Sequence, residues 1–389
     1  MIRNRLFAGA ATTALVAALF PGCSSESGNS DAADPEANAS ASRAAANEAE
    51  AAGQVAAEEA GDPVTLEPQK IGILQIIAAA ESALNAQKSI EAAADAIGWT
   101  TVACDAQGDP VKTASCGQSL LDQGVDGIVS ISNEPSLWKP ALDKAKAENI
   151  PVINVAGNVG PDPAILGSYA PDNGHQGEVL ADYIIEQLQT LDGDKGIAVH
   201  TFPASWGEAR TEAVTAAVEA TDDVEIVATA STDPTNVQAG TSKTVTDQLT
   251  QNPDLKAIWF SYDVAAQAGA QAVGSKFPGT QFPDRPLVTT FGTDSGTLAL
   301  LRQGSIDAVI ENATAVDGWV AIDQLAEFFA RDRMPTPGPT DGDFPEYGDF
   351  PIASYRVFEK DDVPGSGPVP PVADFEAFFT AKWAKEFGA

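Results

Sequence analysis

Asp126-Gly127-Ile128-Val129-Ser130-Ile131-Ser132, a helical stretch from Ser136 to Glu148, and Asn149-Ile150-Pro151-Val152-Ile153-Asn154-Val155 form one strand–helix–strand unit. Both flanking runs are short and almost continuously apolar, the pattern of strands buried on both faces. Two strands joined through a helix lie parallel, because a parallel pair needs a long crossover connection.

The same rhythm extends in both directions. Upstream, Lys70 to Ile77 and Thr100 to Cys104 read as strands, with helices at Glu81 to Ile97 and Pro110 to Gln123. Downstream, strands are expected at Gly196 to His200, Val224 to Ala230, Ala257 to Phe260, Leu287 to Phe291 and Ala308 to Glu311. Helices are expected between them at Gly207 to Ala220, Asn236 to Gln251, Val264 to Ser275 and Gly296 to Gln303. Strict alternation argues α/β architecture with parallel sheets covered on both faces. The number of strands in 389 residues argues two such units rather than one, although spacing alone is also compatible with an eight-fold barrel.

The ordered series of local motifs resembles the sugar-type periplasmic binding proteins of the ribose and galactose group. It runs from Asp126–Val129 and Asn149–Asn154 through Asp172-Asn173-Gly174-His175-Gln176-Gly177 and Asn252-Pro253-Asp254-Leu255-Lys256-Ala257-Ile258. It ends with Thr290-Phe291-Gly292-Thr293-Asp294 and Gly304-Ser305-Ile306-Asp307-Ala308-Val309-Ile310. The resemblance covers roughly residues 69 to 358 and implies two doubly wound parallel-sheet lobes joined by three crossings, near Pro171, Asn312 and Ile352. The first lobe is then expected over 69–171 and 313–351, the second over 172–312 and 352–389. Ligand is expected between the lobes, where open α/β sheets bind at strand carboxyl ends. The implied role is capture of a sugar or similar neutral polyol for an ABC importer, as a monomer docking on permease subunits. The alternative is a sensor component that binds a nucleoside, an autoinducer-like furanose or an inositol-type ligand and feeds a signalling receptor. Repressors of the same fold carry a basic helix-turn-helix that this chain lacks.

By the same resemblance Asp294 matches the family's sugar-binding aspartate, Asn312 an amide at the second crossing, and Arg210 a family arginine. Tyr262-Asp263 stand where Asn-Asp is typical. Trp206 is a candidate stacking platform, since aromatic faces cover apolar ring surface. Ala156-Gly157 replace the Asp-Arg pair that grips sugar from the first lobe, which leaves Asn133, Glu134 and Asn158 as polar groups there, with Trp138 as a substitute aromatic. Each residue also has a scaffold reading: Asp294 and Asp263 as helix caps, Asn312 as a hinge amide, Arg210 paired with Glu208 or Glu212. No enzyme is expected. Ser136-Leu137-Trp138-Lys139 spells S-x-x-K, but no K-T-G follows it, and no G-x-S-x-G, H-E-x-x-H or Walker pattern appears.

The N-terminus indicates location. Residues 1–22 combine two arginines with an apolar run, the pattern of a secretory signal, and Cys23 resembles the lipidated cysteine of bacterial lipoproteins. The protein is therefore expected outside the cytoplasm, anchored by lipid on Cys23 to the outer face of the cell membrane. Residues 23–68, rich in Ala, Glu, Ser and Asp, read as a disordered acidic tether reaching about 35 Å, with its Ala/Glu part, Ala44 to Ala60, able to form a transient helix. A net charge of −33 disfavours nucleic acid. Setting Cys23 aside, Cys104 and Cys116 remain, most simply as a disulfide, with two free buried thiols as the alternative. His175 and His200 lie at no ligand spacing from a cysteine, so neither a metal nor any other cofactor is expected.

Overall fold

The structure, a computed structural model, describes residues 35–312, 314–336, 344–352 and 355–388. The signal segment and Cys23 lie outside these residues. No helix among the described residues is long and apolar enough to cross a membrane.

The first lobe holds β1 (Lys70–Gln75), β2 (Thr100–Asp105), β3 (Gly127–Ile131), β4 (Val152–Val155) and β5 (Ile165–Tyr169). They form a parallel sheet in the order β2-β1-β3-β4-β5. α2 (Glu81–Ala96) and α10 (Thr314–Arg331) belong to the core on one face, and α3 (Pro110–Asp122) and α4 (Lys139–Ala147) to the core on the other. β5 is an edge strand absent from the sequence expectation, because Ile165-Leu166-Gly167-Ser168-Tyr169 mixes small and polar residues into a short run.

The second lobe repeats the topology with β6 (Lys195–Thr201), β7 (Val224–Ser231), β8 (Leu255–Phe260), β9 (Leu287–Phe291) and β10 (Ala308–Ile310), closed by an antiparallel edge strand, β11 (Val357–Phe358). α5 (Asn173–Gln189) and α6 (Ser205–Glu219) cover one face, and α7 (Val237–Gln251), α8 (Asp263–Lys276) and α9 (Ser295–Gln303) the other. In each sheet the strand order reverses between the first and third strands of the lobe, β1/β3 and β6/β8. That reversal opens a crevice at the carboxyl ends, the place where doubly wound sheets bind ligands. The architecture is thus the two-lobed α/β fold expected, not a barrel. Cys104 in β2 and Cys116 in α3 are disulfide-bonded, with Cα atoms 5.4 Å apart.

Two expectations need correction. Residues 35–60 of the supposed tether form a helix, α1 (Pro35–Ala60), and its part from Arg43 onward joins the folded body. Ala49, Gly53 and Ala57, spaced one turn apart, are buried, and a Cβ on Gly53 would lie 2.2 Å from the carbonyl oxygen of Phe378. Lys385 donates to the Gln54 carbonyl at 3.2 Å and to the Glu58 carboxylate. A composition poor in large aliphatic residues reads as disorder, yet alanine is the best helix former. A stripe of small residues lets two helix backbones approach closely and bury surface.

The C-terminal helix α11 (Phe375–Glu386) does not join the second lobe, as the 352–389 boundary supposed. Phe378, Phe379 and Trp383 belong to the first-lobe core with Trp319 of α10. Buried Asp323 of α10 accepts from Lys382 Nζ at 2.7 Å and from Trp383 Nε1 and Tyr347 Oη at 2.8 Å. Pairing and hydrogen bonding satisfy the buried carboxylate that would otherwise be expensive.

Candidate ligand-binding site

The strand carboxyl ends enclose a cavity of about 110 Å³ between the lobes. The first lobe lines it with Ile76 and Ile77 after β1, Ala80 and Ala83 at the start of α2, Ile131 and Ser132 at the end of β3, and Ala156 after β4. The second lobe contributes Phe202 after β6, Tyr262 and Asp263 after β8, and Phe291 and Gly292 at the end of β9, with Trp206 and Arg210 from α6. Asn312 and Thr314 come from the crossing.

Arg210 is the most firmly built element. Its Nη1 donates to the Ser261 carbonyl at 3.0 Å and its Nη2 to Gln176 Oε1 at 3.2 Å, while Gln176 Nε2 donates to the Glu311 carbonyl at 2.7 Å. The motif Gly174-His175-Gln176-Gly177 has a local reason here. A Cβ on Gly177 would meet the Arg210 carbonyl at 2.7 Å, so glycine lets α5 close on α6 and puts Gln176 in reach of the guanidinium. That guanidinium lies over the rings of Phe291 at 4.2 Å and Trp206 at 5.2 Å. Burial pushes its pKa down to about 9, and Asp263 opposes the shift. It pairs with neither Glu208 nor Glu212.

Asp263 lines this cavity, whereas Asp294, expected to hold ligand, lines a neighbouring cleft with Glu81 and Ser295. Burial raises both carboxyls. Asp294 is pushed to about 8 by burial, by the charge of Asp263 and by Glu81, with the Ser82 amide working against the shift. Both shifts favour the neutral acid, so the pair resists carrying two negative charges beside the Arg210 cation. Three polar atoms of cavity-lining residues are buried without a partner: Asp263 Oδ2, Asn312 Oδ1 and Arg210 Nε.

Phe202, Trp206 and Tyr262 form an aromatic cluster. Phe202 and Trp206 stack at 5.0 Å with planes 14° apart, and Tyr262 leans on both. The Trp206 indole fills the space in front of Gly157, whose Cβ would come within 3.1 Å of it. That accounts for glycine where the family carries an arginine.

The remaining candidates lie elsewhere. Asn133 is buried and ties strand ends together, donating to the Leu74 and Ile131 carbonyls at 2.9 and 3.0 Å. Trp138 is fully buried in the core beside α3, not at the cavity. Asn158 does not line the cavity. Sequence reasoning missed Phe202, Phe291, Gln176 and the aliphatic first-lobe wall. Phe202 and Phe291 stand at strand carboxyl ends and were open to the same rule that pointed to Tyr262 and Asp263.

Among the described residues three carboxylates bridge the lobes, and each serves a helix whose own N-cap side chain makes no capping bond. Asp294 accepts from the Ser82 amide of α2 at 3.0 Å. Glu81 accepts from the Ser295 amide and hydroxyl of α9 at 3.1 and 2.5 Å. Glu134 accepts from the Ser205 amide and hydroxyl of α6 at 3.4 and 2.8 Å. Orphan amides of a helix start are satisfied by such acceptors, here reached across the cleft. Asp294 is thus no cap of its own helix, and Glu134 is a bridge.

The periplasmic binding protein domain family matches residues 71–330. The ribose import binding protein of Bacillus subtilis is 25% identical over 240 residues, covering 60% of this chain and 73% of that protein. Among solved structures, an ABC sugar transporter subunit from Rhodobacter sphaeroides superposes with a TM-score of 0.64 at 21% identity, over 75% of this chain and 98% of that one. A periplasmic ribose ABC transporter protein from Conexibacter woesei superposes with a TM-score of 0.65 at 20% identity, over 77% and 95%. The family match, on two lobes of repeated topology with a cavity at their strand ends, identifies the chain as a member of the periplasmic binding protein domain family.

Proposed function

We propose that this protein captures a sugar or similar neutral polyol in the interlobe cavity and delivers it to an ABC importer. The observation that carries the reading is the trio Asp263 Oδ2, Asn312 Oδ1 and Arg210 Nε, buried and unpartnered on one wall. An unmet buried polar group costs about 1–3 kcal/mol, and a ligand presenting adjacent hydroxyls supplies the missing donors and acceptor. The neighbouring aromatic cluster suits the apolar face of a sugar ring. Charge balance favours a neutral ligand, because the Arg210 cation stands beside the Asp263 carboxyl and burial resists any further charge there. The names of the matched proteins, a ribose import binding protein and sugar transporter components, agree with import.

The test is a thermal-shift screen of the mature protein against neutral monosaccharides, polyols and nucleosides. A true ligand at a hundred times its dissociation constant adds about 2.7 kcal/mol of stability. No shift with any neutral sugar or polyol would refute the reading. We further propose a lipid anchor on Cys23, supported by the N-terminal sequence pattern. Cys23→Ser then moves the protein from the membrane to the soluble fraction, and retention on salt-washed membranes would exclude the anchor.

A further inference from the structure

The two walls of the cavity differ in chemistry. Every charged or amide side chain that lines it comes from the second lobe or the crossing: Arg210, Asp263 and Asn312. The first lobe contributes Ile76, Ile77, Ala80, Ala83, Ile131 and Ala156, with the hydroxyls of Ser82 and Ser132 beside them and that of Thr314 at the crossing.

The backbone of this wall is also committed. Ile77 N donates to Gln75 Oε1 at 3.2 Å and Ala156 N to Asp317 Oδ2 at 2.9 Å. Ala80 N donates to the Ile77 carbonyl and Ser82 N to Asp294, while the Ile76 carbonyl receives Gly108 N. Ser132 Oγ lies 3.4 Å from the Val155 carbonyl. A ligand hydroxyl pressed against the Ile76–Ile77–Ile131–Ala156 patch therefore finds aliphatic carbon and spoken-for amides, with serine hydroxyls only at its margin.

We infer that the ligand is a deoxy sugar, with its hydroxyls toward Arg210, Asp263 and Asn312 and its methyl or methylene edge against the Ile76–Ile77–Ile131–Ala156 wall. The inference rests on the sugar reading above and names the class within it. A hexose that turns a hydroxyl onto the Ile76–Ile77–Ile131–Ala156 patch buries it without a partner, while a carbon-bound hydrogen there gains apolar contact. The six-position methyl of a 6-deoxyhexose has the size and polarity the wall accepts.

The test is calorimetric titration of the mature protein with pairs that differ by one hydroxyl: D-fucose with D-galactose, L-fucose with L-galactose, L-rhamnose with L-mannose, and 6-deoxy-D-glucose with D-glucose. The expected result is a deoxy member that binds at least about 10-fold tighter than its parent, the lower range for one unpaired buried hydroxyl. Parents that bind as tightly as their deoxy partners would overturn the inference and leave the sugar reading intact. No binding by any member would overturn the inference, and the sugar reading with it if the wider screen also fails. Ala156→Asn places an amide on the wall, at a left-handed position (φ 69°) that asparagine tolerates. The ratio within the binding pair should then shrink, and Ala80→Ser gives the same reading should the first variant fold poorly. An unchanged ratio in a folded variant would remove the wall as its cause.

Discussion

Glu134 gives the cleanest handle on closure, because it bridges the lobes without lining the cavity. It accepts from Ser205 N and Oγ at 3.4 and 2.8 Å across the cleft, and from Gly160 N of its own lobe at 3.0 Å. Opening the lobes returns the Ser205 groups to water and forfeits only the bonds across the cleft. Loss of a helix-capping acceptor costs about 0.5–2 kcal/mol, and here that cost falls on the closed state. Glu134→Ala should therefore weaken ligand binding about 2- to 30-fold, expressed as faster dissociation, since closed-state contacts hold the ligand in. A double-mutant cycle with Ser205→Ala removes the Gly160 and backbone-amide contributions and isolates the hydroxyl bond across the cleft. Stopped-flow release and calorimetry supply both numbers. Affinity and dissociation rate within error of the parent, with zero coupling to Ser205, would refute the bridging role.

Asp294→Asn tests the buried carboxyl pair. A carboxyl held at about 8 in the folded protein but near about 4 when unfolded binds a proton that the unfolded chain has released. Its contribution to stability is thus full below about pH 4 and is lost as pH rises toward about 8. The substitution should flatten that part of the melting-temperature profile. The residual slope belongs to Asp263, Asp307, Asp317 and Glu386, all raised by burial, and an unaltered profile would contradict the assignment. Gly53→Leu forces a side chain into the Phe378 carbonyl and should release α1, at a cost of about 1–3 kcal/mol. New protease cleavage within residues 43–60 with ligand affinity retained is expected, and an unchanged digest would show that α1 does not depend on this contact.

Much of the fold is legible in the chain because strands buried on both faces write continuous apolar runs: Ile71–Leu74 and Ala257–Phe260 are examples. Edge strand β5 and helix α1 write weaker signals, one from mixed polarity and the other from small residues whose burial is decided by the partner surface. Lobe membership of α11 is a tertiary fact. Phe378, Phe379 and Trp383 announce a buried stripe and are silent about which core receives it. At the site, Arg210, Trp206, Tyr262, Asp263 and Asn312 do line one cavity, since all follow strand ends of the second lobe. Asn133 and Trp138 also follow a strand end, yet their side chains turn into the scaffold, and strand position alone does not encode that turn.

The most direct measurement is a crystal structure of the protein with the sugar selected by titration. The account predicts ligand hydroxyl oxygens within about 3.2 Å of Asp263 Oδ2, Asn312 Oδ1 and Arg210 Nε, with the ring against Trp206 or Phe202. A ligand seated outside this cavity, or one that leaves those three atoms unpaired, would contradict it.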